Sequence, residues 1–220
     1  TRPDQTRPDQ TRPDQTRPDL IRLLQYVFGY VPVVLRDIAE YAKNRIDADR
    51  LSTDTYVGVD NLLPDKKGKT ASVHVPAEGK VNAYEMGNVL IGNIRPYLRK
   101  IWYANNNGGA NGDVLVIRAL DKKIILPKYL FYVLASEQFF LYDINNSKGA
   151  KMPRGDKNAI MEYVISLPAI KEQERIIKIF DRFESLCHDL SEGLPAEIEA
   201  RKKQYGHYRD KLLTFKELSK

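Results

Sequence analysis

The chain has a single cysteine, Cys187, so no disulfide framework can brace it, and a reducing cytoplasm suits it. That thiol and three scattered histidines, His74, His188 and His207, offer no zinc-ligand spacing, so no metal is expected. No apolar run reaches the roughly eighteen residues that a membrane span requires. The nearest, Ile124 to Ile144, is broken by Pro127, Lys128 and Glu137. Phosphate-cradling nucleotide loops are absent, as are the Asn-Pro-Pro-Tyr-like tetrapeptide and glycine-rich loop of an adenine methyltransferase. Pro64-Asp65 and Asp121-Lys122-Lys123 mimic a nuclease metal site, yet both pieces read as polar turns far apart in the chain. The expectation is a chain without catalysis of its own, a stand-alone nuclease being the alternative. It has no signal peptide, but it opens at Thr1 rather than Met, which leaves its natural start open.

What is present is ordinary in bulk and uneven in placement. A length of 220 residues suffices for one domain of about 140 residues plus an extended element. A hydrophobic share of 42% is that of a water-soluble globular chain. Net charge is +6. Residues 30–168 hold nineteen basic and fifteen acidic residues, while the segments on either side are nearly balanced. A modest excess on one domain permits phosphate contact without demanding it.

Residues 1–20 repeat one pentapeptide, Thr-Arg-Pro-Asp-Gln three times and Thr-Arg-Pro-Asp-Leu once. A proline at every fifth position opposes a regular helix, so an extended or disordered segment is expected. The repeats fit copy-number change by slippage in the gene, or equally a rearrangement scar with no structural role. Residues 21–29 read as a short helical lead-in. Residues 30–168 carry short strand patterns at Thr55–Val59, Ser72–Val75, Asn88–Ile91, Lys100–Ala104 and Asp113–Arg118. Loops at Pro64–Lys69, Ala77–Lys80 and Asn105–Gly112 separate them. Helices are expected near Val34–Lys43 and Lys128–Tyr142. The fold class is α+β, a mixed domain followed by a long, coiled-coil-like helical stem over 169–220.

Three stretches of the mixed domain are fit to meet DNA. Asn93, Arg95, Tyr97, Arg99 and Lys100 cluster where a strand ends. There, Arg can pair bidentately with guanine and Asn with adenine in the major groove. The competing reading makes Arg95-Pro96-Tyr97 a structural turn with Tyr97 in the core. Asn145 to Lys157 is a cationic, glycine-containing loop. Phosphate positioning suits its Lys148, Lys151 and Lys157, and base reading suits Arg154. Asn105 to Gly112, with Asn106, is amide-rich and turn-prone, able to read bases or merely to connect. Lys66-Lys67-Gly68-Lys69 is read as a solvated basic turn.

The stem's apolar residues recur in three- and four-residue steps at Ile176, Ile179/Phe180, Phe183, Leu186/Cys187 and Leu190, and recur again at Ile198, Tyr205, Tyr208, Leu212 and Phe215. That is a narrow coiled-coil seam. Its register slips at Gly193-Leu194-Pro195, so two helices or one kinked helix are expected. Glu197–Arg201 and Glu199–Lys203 stand in favourable i,i+4 order on the outer face. So large a seam needs a partner.

The wording of this stem resembles the conserved helical region of the specificity (S) subunit of type I restriction-modification enzymes. The matching residues are Pro168, Glu172-Gln173, Leu194 to Arg201, Gln204-Tyr205, Tyr208-Arg209 and Leu212 to Phe215, with Gly206-His207 departing from the pattern. Arg95-Pro96-Tyr97 resembles a turn in one branch of the recognition domains. The resemblance implies a half-length S subunit with one target-recognition domain, reading one half of a bipartite site on double-stranded DNA. It implies methyltransferase (M) subunits docked on the stem, a restriction (R) subunit in the full complex, and another S half or a second copy as partner. S-adenosylmethionine, ATP and magnesium would then belong to the partner subunits, not to this chain. An orphan or decoy DNA-binding protein that pairs with M subunits without restriction is the alternative.

Overall fold

A computed structural model describes residues 16–183 and 185. Its first compact unit runs to Arg175 and a second begins at Ile176. The first element is a helix, α1 (Thr16–Phe28). It starts with the last pentapeptide copy, so residues 16–20, expected to be extended or disordered, are helical. Pro18 falls in its first turn, where backbone N–H groups have no intrahelical acceptor and proline costs no bond. Gly29, at φ +80°, ends the helix by donating its N–H to Gln25 O at 2.9 Å.

Strand β1 (Tyr30–Val34) pairs antiparallel with β10 (Val164–Pro168), Val31 opposite Leu167 and Val33 opposite Ile165. These inward residues are buried, and buried Gln25 of α1 donates from Nε2 to Pro168 O at 3.0 Å. The helix expected near Val34–Lys43 does not form. One 3-10 turn (Leu35–Asp37) leads instead into β2 (Ala39–Tyr41). The three-residue step from Leu35 to Ile38 serves such a turn as well as a helix, and the Leu35 N–H is taken by Tyr163 O.

The core lies between two four-stranded sheets. One runs β2, β9 (Val114–Ala119), β6 (Val89–Gly92), β7 (Ile101–Tyr103), all antiparallel. The other runs β3 (Arg45–Asp47), β5 (Lys80–Tyr84), β8 (Gly108–Ala110), β4 (Tyr56–Val57), with β4 and β8 parallel. Every residue of β6 is buried, which is why Val89-Leu90-Ile91 is continuously apolar. Leu90 and Val116 of the first sheet join Tyr84 and Val57 of the second in one apolar cluster. Each such side chain contributes about 1.5–3 kcal/mol on burial.

Four of the five expected strands are present as β4, β6, β7 and β9; Ser72–Val75 is not a strand. β8 lies within the segment expected to be a loop. A Cβ on Gly108 would stand 2.0 Å from Thr55 O, and one on Gly109 2.5 Å from Val81 Cγ2. The glycines here admit close approach of neighbours instead of loosening the chain. The helix expected over Lys128–Tyr142 is two, α2 (Pro127–Leu134) and α3 (Glu137–Asn146). Ser136 divides them, its hydroxyl accepting from Phe139 N at 3.2 Å as the cap of α3. A short α4 (Lys157–Met161) precedes β10, and helix α5 covers 170–183.

In the second unit, Phe180 and Phe183 are exposed and Ile176 is half-buried. Leu190, Ile198, Tyr205, Tyr208, Leu212 and Phe215 of the expected seam lie outside the described residues. So does most of the pentapeptide repeat.

Candidate nucleic-acid interface

Past β6 the chain enters a turn held from three sides. Asn93 N donates to Asp113 O at 2.8 Å, and Asn93 O accepts from Gly155 N at 3.1 Å. Arg95 N then donates to Pro153 O at 2.7 Å, and a 3-10 turn (Pro96–Leu98) follows. Arg95 and Arg99, flanking that turn, both adopt left-handed backbone, at φ 54° and 51°. Their neighbours Asp65 and Lys66 do the same, and these donate their N–H groups to Leu98 O and Arg99 O at 3.0 Å each. These four are the described non-glycine residues at positive φ, and they sit in two turns bonded to each other. Such backbone costs about 1–3 kcal/mol per residue, persists only where its surroundings over-determine it, and gathers at working sites.

The loop expected over 145–157 is shorter, because Asn145 and Asn146 end α3 and Lys157 begins α4, and its residues 147–156 are knitted to this turn. Lys148 and Arg154 exchange backbone hydrogen bonds of 2.8 Å in both directions, and Ile94 bridges to Arg154. The loop is thus a small ordered hairpin. Two segments about fifty residues apart in sequence form one surface. Asp156 caps α4 through Asn158 N at 2.9 Å and pairs with Lys148 Nζ at 2.5 Å, and Lys148 beside it holds its carboxyl below the usual carboxylate range. Arg154 Nε stands 3.3 Å from Asp113 Oδ1. Pairs as exposed as these contribute at most about 1 kcal/mol, so both cations can be surrendered to a phosphate.

The predicted DNA-facing residues divide by what already holds them. Asn93 is 5% exposed and lies in the scaffold of the turn. Arg99 pairs with Glu137 at 2.5 Å, and Lys100 Nζ donates to Val59 O at 2.7 Å. Asn106 Oδ1 accepts from the Tyr84 hydroxyl at 3.0 Å. Arg95, Lys151 and Lys157 are exposed, and their side chains have no protein partner among the described residues. Tyr97 is half-exposed rather than in the core. In the basic turn, Lys69 is engaged: its Nζ donates to Asp54 O at 2.8 Å and lies 4.9 Å from the Trp102 ring centre. Burial lowers its pKa.

Beside the turn opens a cleft of about 530 Å³, with Asp60, Val73, His74, Arg95, Asn111 and Met152 among its walls. The sequence reading took 72–75 for a strand and so missed this wall. It also missed Asp143. Burial pushes that carboxyl up to about 6, and among the described residues neither of its oxygens has a hydrogen-bond partner, nor does Asn93 Oδ1. The signal was present, because Phe139, Phe140 and Asp143 share one face of α3 at three- and four-residue spacing.

Among the described residues, no group of three His, Cys, Asp or Glu side chains could hold a metal ion. None of their helices is long and apolar enough to cross a membrane. What the geometry offers is a rigid, partly cationic turn-and-hairpin surface next to a cleft. Residues 29–200 match the type I restriction modification DNA specificity domain.

The chain belongs to that family. The specificity domain is 37% identical over 91 residues to the EcoR124I/EcoR124II type I restriction enzyme specificity subunit of Escherichia coli, covering 41% of this chain and 22% of that one. It is 35% identical over 120 residues to the MpnII specificity subunit of Mycoplasma pneumoniae, covering 54% of this chain and 34% of the other. It therefore spans well under two thirds of these curated relatives. In fold it is similar to the HsdS subunit from Thermoanaerobacter tengcongensis, with a TM-score of 0.56 at 21% identity over 80% of this chain and 46% of that one.

Proposed function

We propose that this chain is a non-catalytic specificity subunit of a type I restriction-modification system. It reads one half of a bipartite site on double-stranded DNA and directs methyltransferase and restriction subunits to it. Family membership across 29–200 supports the role. The observation that supports the reading surface is Arg95, in left-handed backbone with its N–H donated to Pro153 O of the hairpin, while its guanidinium has no partner among the described residues.

In this reading Arg95 contacts a base edge and Tyr97 packs beside it. Lys151 and Lys157, with Lys148 and Arg154 released from their carboxylates, grip the phosphates. Asn93, Arg99, Lys100 and Asn106 hold the scaffold that aims them. The stem docks M subunits and pairs with another S half or a second copy of this chain. S-adenosylmethionine, ATP and magnesium serve the partner subunits, and the complex works in the cytoplasm. Mixing the full chain with its M subunit and S-adenosylmethionine, then mapping methylated adenines, tests this. Methylation confined to a split site is expected. Methylation by the M subunit without regard to this chain would overturn the proposal.

A further inference from the structure

Val73 is 85% exposed, and this is not slack in the chain. Its neighbour Ser72 is 6% exposed and doubly anchored: its N–H donates to Thr53 O at 2.7 Å, and its hydroxyl donates to His74 O at 2.9 Å. Two residues earlier, Thr70 N donates to Asn61 O at 2.9 Å. A β-branched apolar side chain is thus presented to solvent from a fixed backbone. It has few rotamers to lose when something packs on it. It lines the same cleft as the unpaired Arg95.

Among the groups that duplex DNA shows a protein in its grooves, phosphates and most base-edge atoms are polar. The 5-methyl of thymine is the apolar one, and it stands in the major groove, where Arg reads guanine. An anchored valine that shares a cleft with an arginine lacking a side-chain partner among the described residues matches that combination. We propose that Val73 is a specificity-determining residue that packs against a thymine methyl near the base read by Arg95. This rests on the proposed reading of DNA by the 93–100 turn, and adds a second reader from the lining of the same cleft.

The test uses the full chain and a pool of duplexes with randomised bases, from which the preferred sequence is selected. Each thymine of the selected duplex is then replaced by uracil, which removes only the methyl group. The parent is expected to lose about fourfold in affinity at one thymine, the worth of one buried methyl group. The Val73→Ala chain should bind the thymine duplex more weakly and lose nothing further with uracil, its salt slope unchanged. Val73→Thr, which keeps one methyl, should fall between. Because Val73 is so exposed, neither variant should disturb folding, and equal melting temperatures check this. A parent indifferent to uracil at every thymine, or a Val73→Ala chain as sensitive as the parent, overturns the inference. If Arg95→Ala still relaxes base preference in those cases, the DNA-reading proposal stands without Val73. A parent that selects no sequence removes both.

Discussion

A Cβ on Gly155 would stand 2.4 Å from Asp143 Oδ1 and 2.9 Å from Asn93 Oδ1. The glycine thus lets the hairpin's last backbone N–H reach Asn93 O across the buried face of α3. Through this junction the hairpin carrying Lys148 and Arg154 is clamped to the turn carrying Arg95.

Gly155→Ala should therefore cost about 1–3 kcal/mol, since the added atom meets a helix-borne carboxylate in a packed site. For a unit of this size that is a fall in melting temperature of about 2–4 °C per kcal/mol. The variant should also lose DNA affinity, because hairpin and turn separate. An unchanged melting temperature with full binding would show that the junction yields freely.

Asp143 gives a pH prediction whose sign follows from its raised folded pKa. Between its ordinary value near 4 and about 6 the native state holds a proton that the unfolded chain has lost. Stability from this group is complete below pH 4, declines as pH rises to about 6, and stays reduced above it. Asp143→Asn should remove that decline and stabilise the protein at pH 7 by up to about 3 kcal/mol, the equivalent of a two-unit shift. Urea titrations from pH 4 to 8 measure it, and a less stable Asn variant at pH 7 would contradict a charge buried without a partner.

Replacing Lys148, Lys151 and Arg154 together by Ala should weaken DNA binding and flatten its salt dependence by about one unit for each phosphate no longer neutralised. Folding should suffer little, because the pairs made by Lys148 and Arg154 are exposed. Salt titrations superimposable on the parent's would take the hairpin out of the interface.

Arg95 and Asn93 should part company. Arg95→Ala is expected to relax preference at one base, costing about 1–3 kcal/mol there. Asn93→Ala should lower stability and weaken binding to all sequences alike, since Asn93 is buried. Binding of each variant to a panel of single-base changes decides between base reading and support.

For the stem, Phe183→Asp should shift a dimer toward monomer in light scattering at micromolar concentration. Phe180 and Phe183 are exposed in the described part of the seam, and burying a Phe contributes about 1.5–3 kcal/mol. Two copies paired antiparallel would form a twofold dimer and guide methylation to an interrupted palindrome. Methylation at two unlike half-sites by a self-paired dimer would overturn the symmetry and leave the seam intact.

Much was legible in the residues alone. Val89-Leu90-Ile91 and Val114 to Ile117 read as strands because β-branched and aliphatic runs carry their own signal. The stem's wording pointed to the specificity-subunit family, and clustered cations picked out the turn and the hairpin. Elements whose cause lies elsewhere in the chain were not legible. β8 is a strand because Thr55, Val81 and Leu51 crowd its glycines, and β1 is one because β10 returns more than a hundred residues later to pair with it. The same holds at the proposed interface. Sequence determined that Arg95, Arg99 and Lys100 would stand together. Folding decided that Arg99 is tied to Glu137 and Lys100 to Val59 while the Arg95 side chain has no partner among the described residues, and it brought Val73 into the lining of the same cleft. Charge belongs to a residue, but its availability depends on which distant partner the tertiary structure brings within a few ångströms.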